Sequence, residues 1–138
     1  MSRILGLDFG DKRIGAATSD ALGWTAQGKK VIQNTSWEEV VAEINSLIEQ
    51  YDVGKVVVGL PKNMNGTLGP RAEKTLDFVE QLKEEIEPPI ITWDERLSTA
   101  AAERTLLKAD VSRAKRKDVI DKMAAVVILQ SYLDAQSS

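Results

Sequence analysis

The first sixty residues alternate between short apolar runs and polar connections. Ile4–Phe9 and Arg13–Ser19 are apolar runs that only a few residues separate, which predicts two strands of an antiparallel hairpin. Lys30–Asn34 is expected to form a third strand. In Lys55–Leu60 three valines follow one another without alternation. This pattern is typical of a strand that is covered on both faces in a largely parallel sheet.

Apolar residues recur at helical spacing over Trp37–Tyr51 and again over Ala72–Ile86. Ser36 is expected to cap the first of these two helices, because a serine side chain can accept a hydrogen bond from the first turn. Pro88-Pro89 is expected to stop the second helix. The apolar run Ile90–Trp93 then predicts a short strand.

Two more helices are predicted after this strand, over Ala100–Leu107 and from about Asp118 to Tyr132. Ser98 or Thr99 can cap the first of them. The element order is then β-β-β-α-β-α-β-α-α. Three meandering strands followed by strand–helix alternation predict an α/β fold, with a mixed sheet and helices on both of its faces. A length of 138 residues predicts one domain over residues 1–138.

The chain contains no cysteine and no histidine. This excludes disulfide scaffolds, zinc ribbons, iron–sulfur sites, cysteine nucleophiles and acid–base catalysis by imidazole. Any catalysis must rest on other side chains or on a metal held by oxygen atoms. The net charge of −3 argues against a protein that coats polyanions in general. The first residues lack the apolar stretch of a signal peptide, and we therefore expect a cytoplasmic protein without a membrane partner.

Three acids occupy positions that point to chemistry. Asp8 interrupts an apolar strand, and Glu95 lies just past the carboxyl end of another strand, where ligands collect in open α/β sheets. Asp121 lies on a predicted helix face that is otherwise small or apolar. Carboxylates from two strand ends and a facing helix would form a site for Mg²⁺ or Mn²⁺. Two such ions can activate a water and stabilise the leaving oxygen in phosphodiester cleavage.

Each of these acids also has an ordinary structural interpretation. Asp8 could accept hydrogen bonds from backbone N–H groups of the following turn. Glu95 could form an ion pair with Arg96 or Arg104. Asp121 could be an acid on the helix surface. The metal-site hypothesis therefore rests on the combination of the three residues and not on any one of them.

Basic residues in separated segments could contact a phosphate backbone. The run Arg113–Lys117 carries four cations, although a solvated surface segment is the alternative. Asn65-Gly66 precedes a helix that opens near Arg71, and loop amides with a helix N-terminus can hold a phosphate. That dipeptide alone is typical of a plain turn. The candidate phosphate contacts are Lys12, Arg13, Arg71, Arg96, Lys115, Arg116 and Lys117.

Four segments of the chain together resemble one protein family. They are ILGLDFGDKRIGAATSD, VGLPKNMNGTLGPRA, WDERLSTAAAE and DVIDKMAAVVILQSYL, and they occur in the family's order over nearly the whole chain. The sequence resembles the YqgF family, small bacterial proteins with an RNase H-like fold that are described as Holliday junction resolvases and as pre-16S ribosomal RNA nucleases. The resemblance implies a five-stranded mixed sheet with the strand order 3-2-1-4-5.

The resemblance also implies an activity. It implies a metal-dependent endonuclease for 5′-end maturation of 16S ribosomal RNA, with an acidic triad at Asp8, Glu95 and Asp121 and with Mg²⁺ or Mn²⁺ as cofactor. The implied partners are precursor ribosomal RNA, ribosomal particles and branched DNA, and the implied state is a monomer or weak homodimer. Many RNase H-like enzymes carry an acid at the end of the fourth strand. Here Gly59–Asn63 contains none, so Glu95 must supply the second ligand.

Three other functions compete with this one. Cleavage of branched DNA uses the same chemistry, and a resolvase acting on a symmetric junction would need a dimer. A catalytically silent RNA- or ribosome-binding module would bind without cleaving. Nucleotide binding in the manner of actin-like sugar kinases is suggested by Asp8-Phe9-Gly10. Those proteins clasp ATP between two such domains, which 138 residues cannot supply.

Overall fold

A five-stranded mixed sheet forms the centre of the fold. The structure is a computed structural model that describes residues 2–63, 65–95 and 113–137, with the side chains of 113–121 and 137 outside the description. Its strands are β1 (Arg3–Phe9), β2 (Arg13–Ser19), β3 (Ala26–Gln33), β4 (Val53–Leu60) and β5 (Ile90–Asp94). They lie in the order β3-β2-β1-β4-β5, which confirms the predicted 3-2-1-4-5 arrangement.

The strand directions bring three carboxyl ends to one edge of the sheet. β1 pairs antiparallel with β2, whereas β1 with β4 and β4 with β5 are parallel pairs. β1, β4 and β5 therefore end side by side, at Phe9, Leu60 and Asp94. We call this the carboxyl edge. It is the edge at which ligands bind in open α/β sheets.

Helices cover both faces of the sheet, as predicted. The valines of β4 show the division, because Val56 and Val58 pack in one core and Val57 packs in the other. The helices are α1 (Trp37–Gln50), α2 (Pro70–Lys83) and α3 (Arg113–Ser137). The first core also contains buried residues of α1 and α2, and the second contains buried residues of α3. Among the described residues, none of the helices qualifies as a membrane span.

Several element boundaries differ from the predicted ones. β3 begins four residues earlier than predicted, at Ala26, and α2 ends at Lys83, well before the two prolines. α3 begins at Arg113, so the basic run belongs to the helix and does not precede it. Ser36 precedes α1, but its side chain makes no capping hydrogen bond. The helix predicted over 100–107 lies outside the described residues.

Glycines in the sheet allow α3 to lie directly on the strands. A Cβ atom on Gly6 of β1 would lie 2.8 Å from Cβ of Leu129 and 3.4 Å from the carbonyl oxygen of Ala125. A Cβ atom on Gly28 of β3 would lie 2.6 Å from Cγ of Lys122. The distances of 2.8 Å and 2.6 Å are shorter than van der Waals contact. The height of α3 above the sheet is therefore set by residues that have no side chain.

Candidate active site

Asp8 is a buried acid at the carboxyl edge. It lies one residue before the end of β1, and its side chain is on the same face of the sheet as Gly6, because alternate residues of a strand point to the same face. This is the face that α3 covers. Asp8 is only 6% exposed. A carboxylate at such a position is costly unless ligands or partners balance its charge.

Glu95 follows β5 directly, and Trp93 fixes the strand just before it. The Trp93 indole Nε1–H donates to Oγ of Ser131 at 3.0 Å. The indole ring also packs edge-on against the ring of Tyr132, with centroids 5.4 Å apart. Ser131 and Tyr132 belong to α3. The end of β5, and with it Glu95, is therefore tied to the helix that covers this face of the sheet.

The side chain of Glu95 lies over β4, in the direction of β1. A Cβ atom on Gly59 of β4 would lie 3.0 Å from Oε1 of Glu95 and 3.1 Å from its Cγ. Leu7 pairs with Val58, so Asp8 is level with Gly59 on the neighbouring strand. Neighbouring strands are about 4.8 Å apart. The structure therefore places Oε1 of Glu95 over Gly59, on the strand next to Asp8, at its level and on the same face of the carboxyl edge.

Asp121 lies on the part of α3 that approaches this edge. α3 runs antiparallel to β4, since Ile128 lies over Gly59 near the strand's end and Tyr132 contacts Lys55 near its beginning. Asp121 precedes Ala125 by one helical turn, about 6 Å. Asp8 follows Gly6, which Ala125 contacts, by about 6.6 Å along β1.

Both displacements run towards the carboxyl edge and are nearly equal in length. The backbone of α3 at Asp121 therefore lies close to the level of Asp8. The Asp121 side chain itself is outside the described residues. Among the side chains that are described, no three acids group closely enough to hold a metal ion. A three-acid site therefore requires a ligand from beyond that set, and Asp121 stays a prediction.

Arg71 lies between the ends of β1 and β5. It is exposed at the start of α2 and lines two recesses. One is a pocket of about 490 Å³ that contains Glu95, and we call it the edge pocket. The other is small and contains Phe9, Gly10 and Asp11 from the end of β1. The residues that line the edge pocket are Pro61, Lys62, Asn63, Gly69, Pro70, Arg71 and Glu95.

A scan against family models identifies the chain. The model described as RuvX, Holliday junction resolvase, matches residues 2–135. The chain belongs to the RuvX family. This is the YqgF family that the four sequence motifs indicated, so that prediction is confirmed.

Curated relatives of this RuvX protein share one name. A protein of Desulforamulus reducens is 60% identical over 133 residues, which are 96% of this chain and 97% of the relative. A protein of Halothermothrix orenii is 58% identical over 135 residues, which are 98% and 96% of the two chains. Both are named "Putative pre-16S rRNA nuclease". The predicted enzyme class, a nuclease, is confirmed.

Solved structures show the same fold for the RuvX chain at low sequence identity. RuvC of Thermus thermophilus in complex with a Holliday junction substrate has a TM-score of 0.59 at 14% identity, covering 100% of this chain and 98% of RuvC. A second Thermus thermophilus RuvC structure has a TM-score of 0.57 at 16% identity, covering 98% and 96%. These similarities confirm the predicted RNase H-like fold.

The RuvX family model is described as Holliday junction resolvase, an activity on nucleic acid. The donor set at the carboxyl edge fits a divalent metal ion. Asp8 and Glu95 offer only carboxylate oxygens, which are the ligands that Mg²⁺ and Mn²⁺ prefer. The burial of Asp8 also keeps its carboxylate in a fixed place.

The structure describes the side chains of only some of the other cations predicted for the RuvX site. Lys12 is exposed in the connection between β1 and β2, and Arg13, the first residue of β2, is half-buried; both lie at the carboxyl edge. This connection is held by Asn34, whose backbone N–H donates to the Lys12 carbonyl and whose Nδ2 donates to the Gly10 carbonyl, each at 2.9 Å. Arg96 and the side chains of Lys115, Arg116 and Lys117 lie outside the described residues.

The structure also adds two cations that the sequence analysis missed. Lys62 lies in the edge pocket, with Nζ 4.0 Å from Oδ2 of Asp94. Lys74 of α2 lies beside Arg71 in the small recess, with Nζ 3.4 Å from Oδ1 of Asp11. Lys62 follows the end of β4 by two residues, so the strand-end rule that singled out Glu95 could have found it. Lys74 has no such signal, because it lies inside a helix.

The Asn65-Gly66 segment is a turn. The Thr67 backbone N–H donates to Oδ1 of Asn65 at 3.1 Å, and the N–H of Gly66 donates to the Asn63 carbonyl at 2.9 Å. Gly66 has a φ of 86°, which favours glycine. These bonds account for the dipeptide without a phosphate ligand.

Proposed function

We propose that this protein is a nuclease that uses Mg²⁺ or Mn²⁺ to hydrolyse phosphodiester bonds of precursor 16S ribosomal RNA, in 5′-end maturation. The observation that carries the proposal is the position of Asp8 and Glu95 on one face of the carboxyl edge. The relatives at 58–60% identity support the choice of RNA. We place the activity in the cytoplasm and in one nuclease domain over residues 1–138.

In this proposal the position of each acid decides its role as a metal ligand. Asp8 is the central ligand, because it is buried and lies between the other two acids in the proposed arrangement. Glu95 reaches it from β5 across β4, and Asp121 completes the set from α3. When bound, divalent ions supply activation of the attacking water and stabilisation of the leaving oxygen. The protein holds the carboxylates in fixed positions, and α3 covers one side of them.

Cations around the edge pocket position the substrate. Arg71 and Lys62 border the pocket that contains Glu95, and Lys12 projects from the turn after β1. A phosphate backbone that crosses the acids can therefore meet positive charge on both sides. Arg96 and the cations Lys115, Arg116 and Lys117 of α3 extend this path in the proposal. The net charge of −3 makes such local placement necessary, because the protein as a whole does not attract polyanions.

Asp8→Asn tests the proposal, with Asp11→Asn as a matched control. Both changes replace a carboxylate with an amide at the carboxyl edge, but Asp11 is exposed and pairs with Lys74. Purified Asp8→Asn should keep its circular dichroism spectrum, lose Mn²⁺ binding in calorimetry and lose cleavage of precursor 16S rRNA. Asp11→Asn should keep all three properties. Cleavage at the wild-type rate by Asp8→Asn would contradict the proposed role.

The substrate is tested in the same assay with a branched DNA junction and with precursor ribosomal particles. The family model is described by junction resolution, which makes branched DNA the second candidate. We expect metal-dependent cleavage of the RNA, free or in ribosomal particles, by a monomer or weak homodimer. Junction cleavage by a stable dimer would favour the resolvase. Binding of precursor RNA without metal-dependent cleavage would identify a silent binding module.

A further inference from the structure

Gly59 is the point at which β4 makes room for Glu95. A Cβ atom there would lie 3.0 Å from Oε1 and 3.1 Å from Cγ of Glu95. We propose that Gly59 is a positioning residue, whose missing side chain lets the carboxylate from β5 lie over β4 and reach Asp8. This inference rests on the proposed function, in which both acids hold the same metal.

The distances across the sheet show why the space is needed. β4 lies between β1 and β5, so Asp8 and Glu95 start from strands about 9.6 Å apart, two spacings of about 4.8 Å. Oxygens that share a Mg²⁺ ion lie within about 4 Å of each other, twice a metal–oxygen distance of about 2.0–2.1 Å. Glu95 must therefore cross most of the width of β4. The side chain of any other residue at position 59 would stand in this path.

Ile128 provides a way to separate positioning from packing. The same Cβ atom on Gly59 would lie 2.5 Å from Cδ1 of Ile128, so a simple substitution would also push α3 away from the sheet. Ile128→Val removes one carbon and Gly59→Ala adds one. Ile128→Ala removes three carbons and Gly59→Val adds three. Each pair conserves the volume under α3, and core changes that conserve volume are tolerated best.

The experiment measures Mn²⁺ affinity by calorimetry and thermal unfolding by circular dichroism for both pairs, with Ile128→Val and Ile128→Ala alone as controls. The controls should bind Mn²⁺ as the wild type does. Each pair should melt near its control but bind Mn²⁺ more weakly, by about tenfold to a hundredfold, the range typical for residues that orient metal ligands. The loss should be larger with valine than with alanine at position 59. Folded pairs with wild-type affinity would overturn the proposal.

A double-mutant cycle with Glu95→Ala shows whether the effect passes through Glu95. In the Glu95→Ala background, Gly59→Ala/Ile128→Val should cause no further loss of Mn²⁺ affinity. Gly59→Asp/Glu95→Ala/Ile128→Val should regain affinity relative to Glu95→Ala/Ile128→Val, because the carboxylate now comes from β4 itself. If the losses of Mn²⁺ affinity caused by Glu95→Ala and by Gly59→Ala/Ile128→Val were additive, Gly59 would not act through Glu95. That result would overturn the positioning role of Gly59 and leave the proposed function standing. Unchanged affinity in Glu95→Ala would instead remove Glu95 from the metal site and contradict the proposed function.

Discussion

Gly6→Ala should destabilise the protein by lifting α3 from β1. The added Cβ atom would lie 2.8 Å from Cβ of Leu129, about 1 Å closer than carbon atoms pack. Neither atom can rotate away, because both are fixed to the backbone. Overpacking of this kind costs about 1–3 kcal/mol. For a chain of this length that corresponds to a melting temperature about 3–12 °C lower, at roughly 3–4 °C per kcal/mol.

Gly54→Ala is the control for this substitution. Gly54 also lies in the sheet, and its Cβ atom would lie 2.5 Å from Oγ and 2.8 Å from Cβ of Ser2. Ser2 is exposed and lies outside β1, so its backbone and side chain can move together at little cost, whereas Leu129 is buried and held by α3. Thermal unfolding followed by circular dichroism should show a change of less than about 0.5 kcal/mol. A Gly6→Ala protein that melts with the wild type would refute the direct contact between α3 and β1.

Two further predictions concern charge. Hydrogen bonds from backbone N–H groups, above all that of Trp24, lower the pKa of Asp20. The charged form of Asp20 therefore stabilises the loop between β2 and β3 at pH values above the unfolded-state pKa. This stabilisation is lost as the pH falls through the folded-state pKa. Asp20→Ala should melt below the wild type at pH 7, and the difference in melting temperature should narrow as the pH falls below the ordinary aspartate pKa of 3.8. A difference independent of pH would contradict this. Two variants remove positive charge from the proposed substrate path: Arg71→Ala, and the triple neutralisation of Lys115, Arg116 and Lys117. Each should weaken RNA binding and flatten the plot of log affinity against log salt concentration by about 0.7–0.9 unit per lost phosphate contact. An unchanged slope of that plot would place the cations off the substrate path.

The elements with a strong apolar pattern were predictable from the sequence. Val56, Val57 and Val58 predicted a strand between two covered faces, and the structure buries them in two separate cores. β3 was predicted too short because it is an edge strand with exposed residues such as Gln27, which give no apolar alternation. The early part of α3 was missed for a similar reason. Lysine and arginine favour helix, but they carry no periodic signal.

The candidate site was predictable where it depends on strand ends. Asp8 and Glu95 stood out because they lie at the ends of apolar strands, where ligands collect in open α/β sheets, although each also had an ordinary structural interpretation. Lys74 and Gly59 could not be found in the same way. The place of Lys74 depends on how α2 lies beside β1, and the importance of Gly59 depends on a side chain from another strand. Both positions depend on residues that are distant in the sequence and become neighbours only in the folded sheet.

Diffraction from crystals grown with Mn²⁺, recorded at the manganese absorption edge, tests the central claim most directly. The account predicts anomalous peaks at the carboxyl edge, within about 2.0–2.3 Å of carboxylate oxygens of Asp8, Glu95 and Asp121. Asp8→Asn crystals under the same conditions should show no peak there. A peak that lacks Asp8 among its ligands, or a fully ordered edge without any peak at saturating Mn²⁺, would contradict the three-acid metal site.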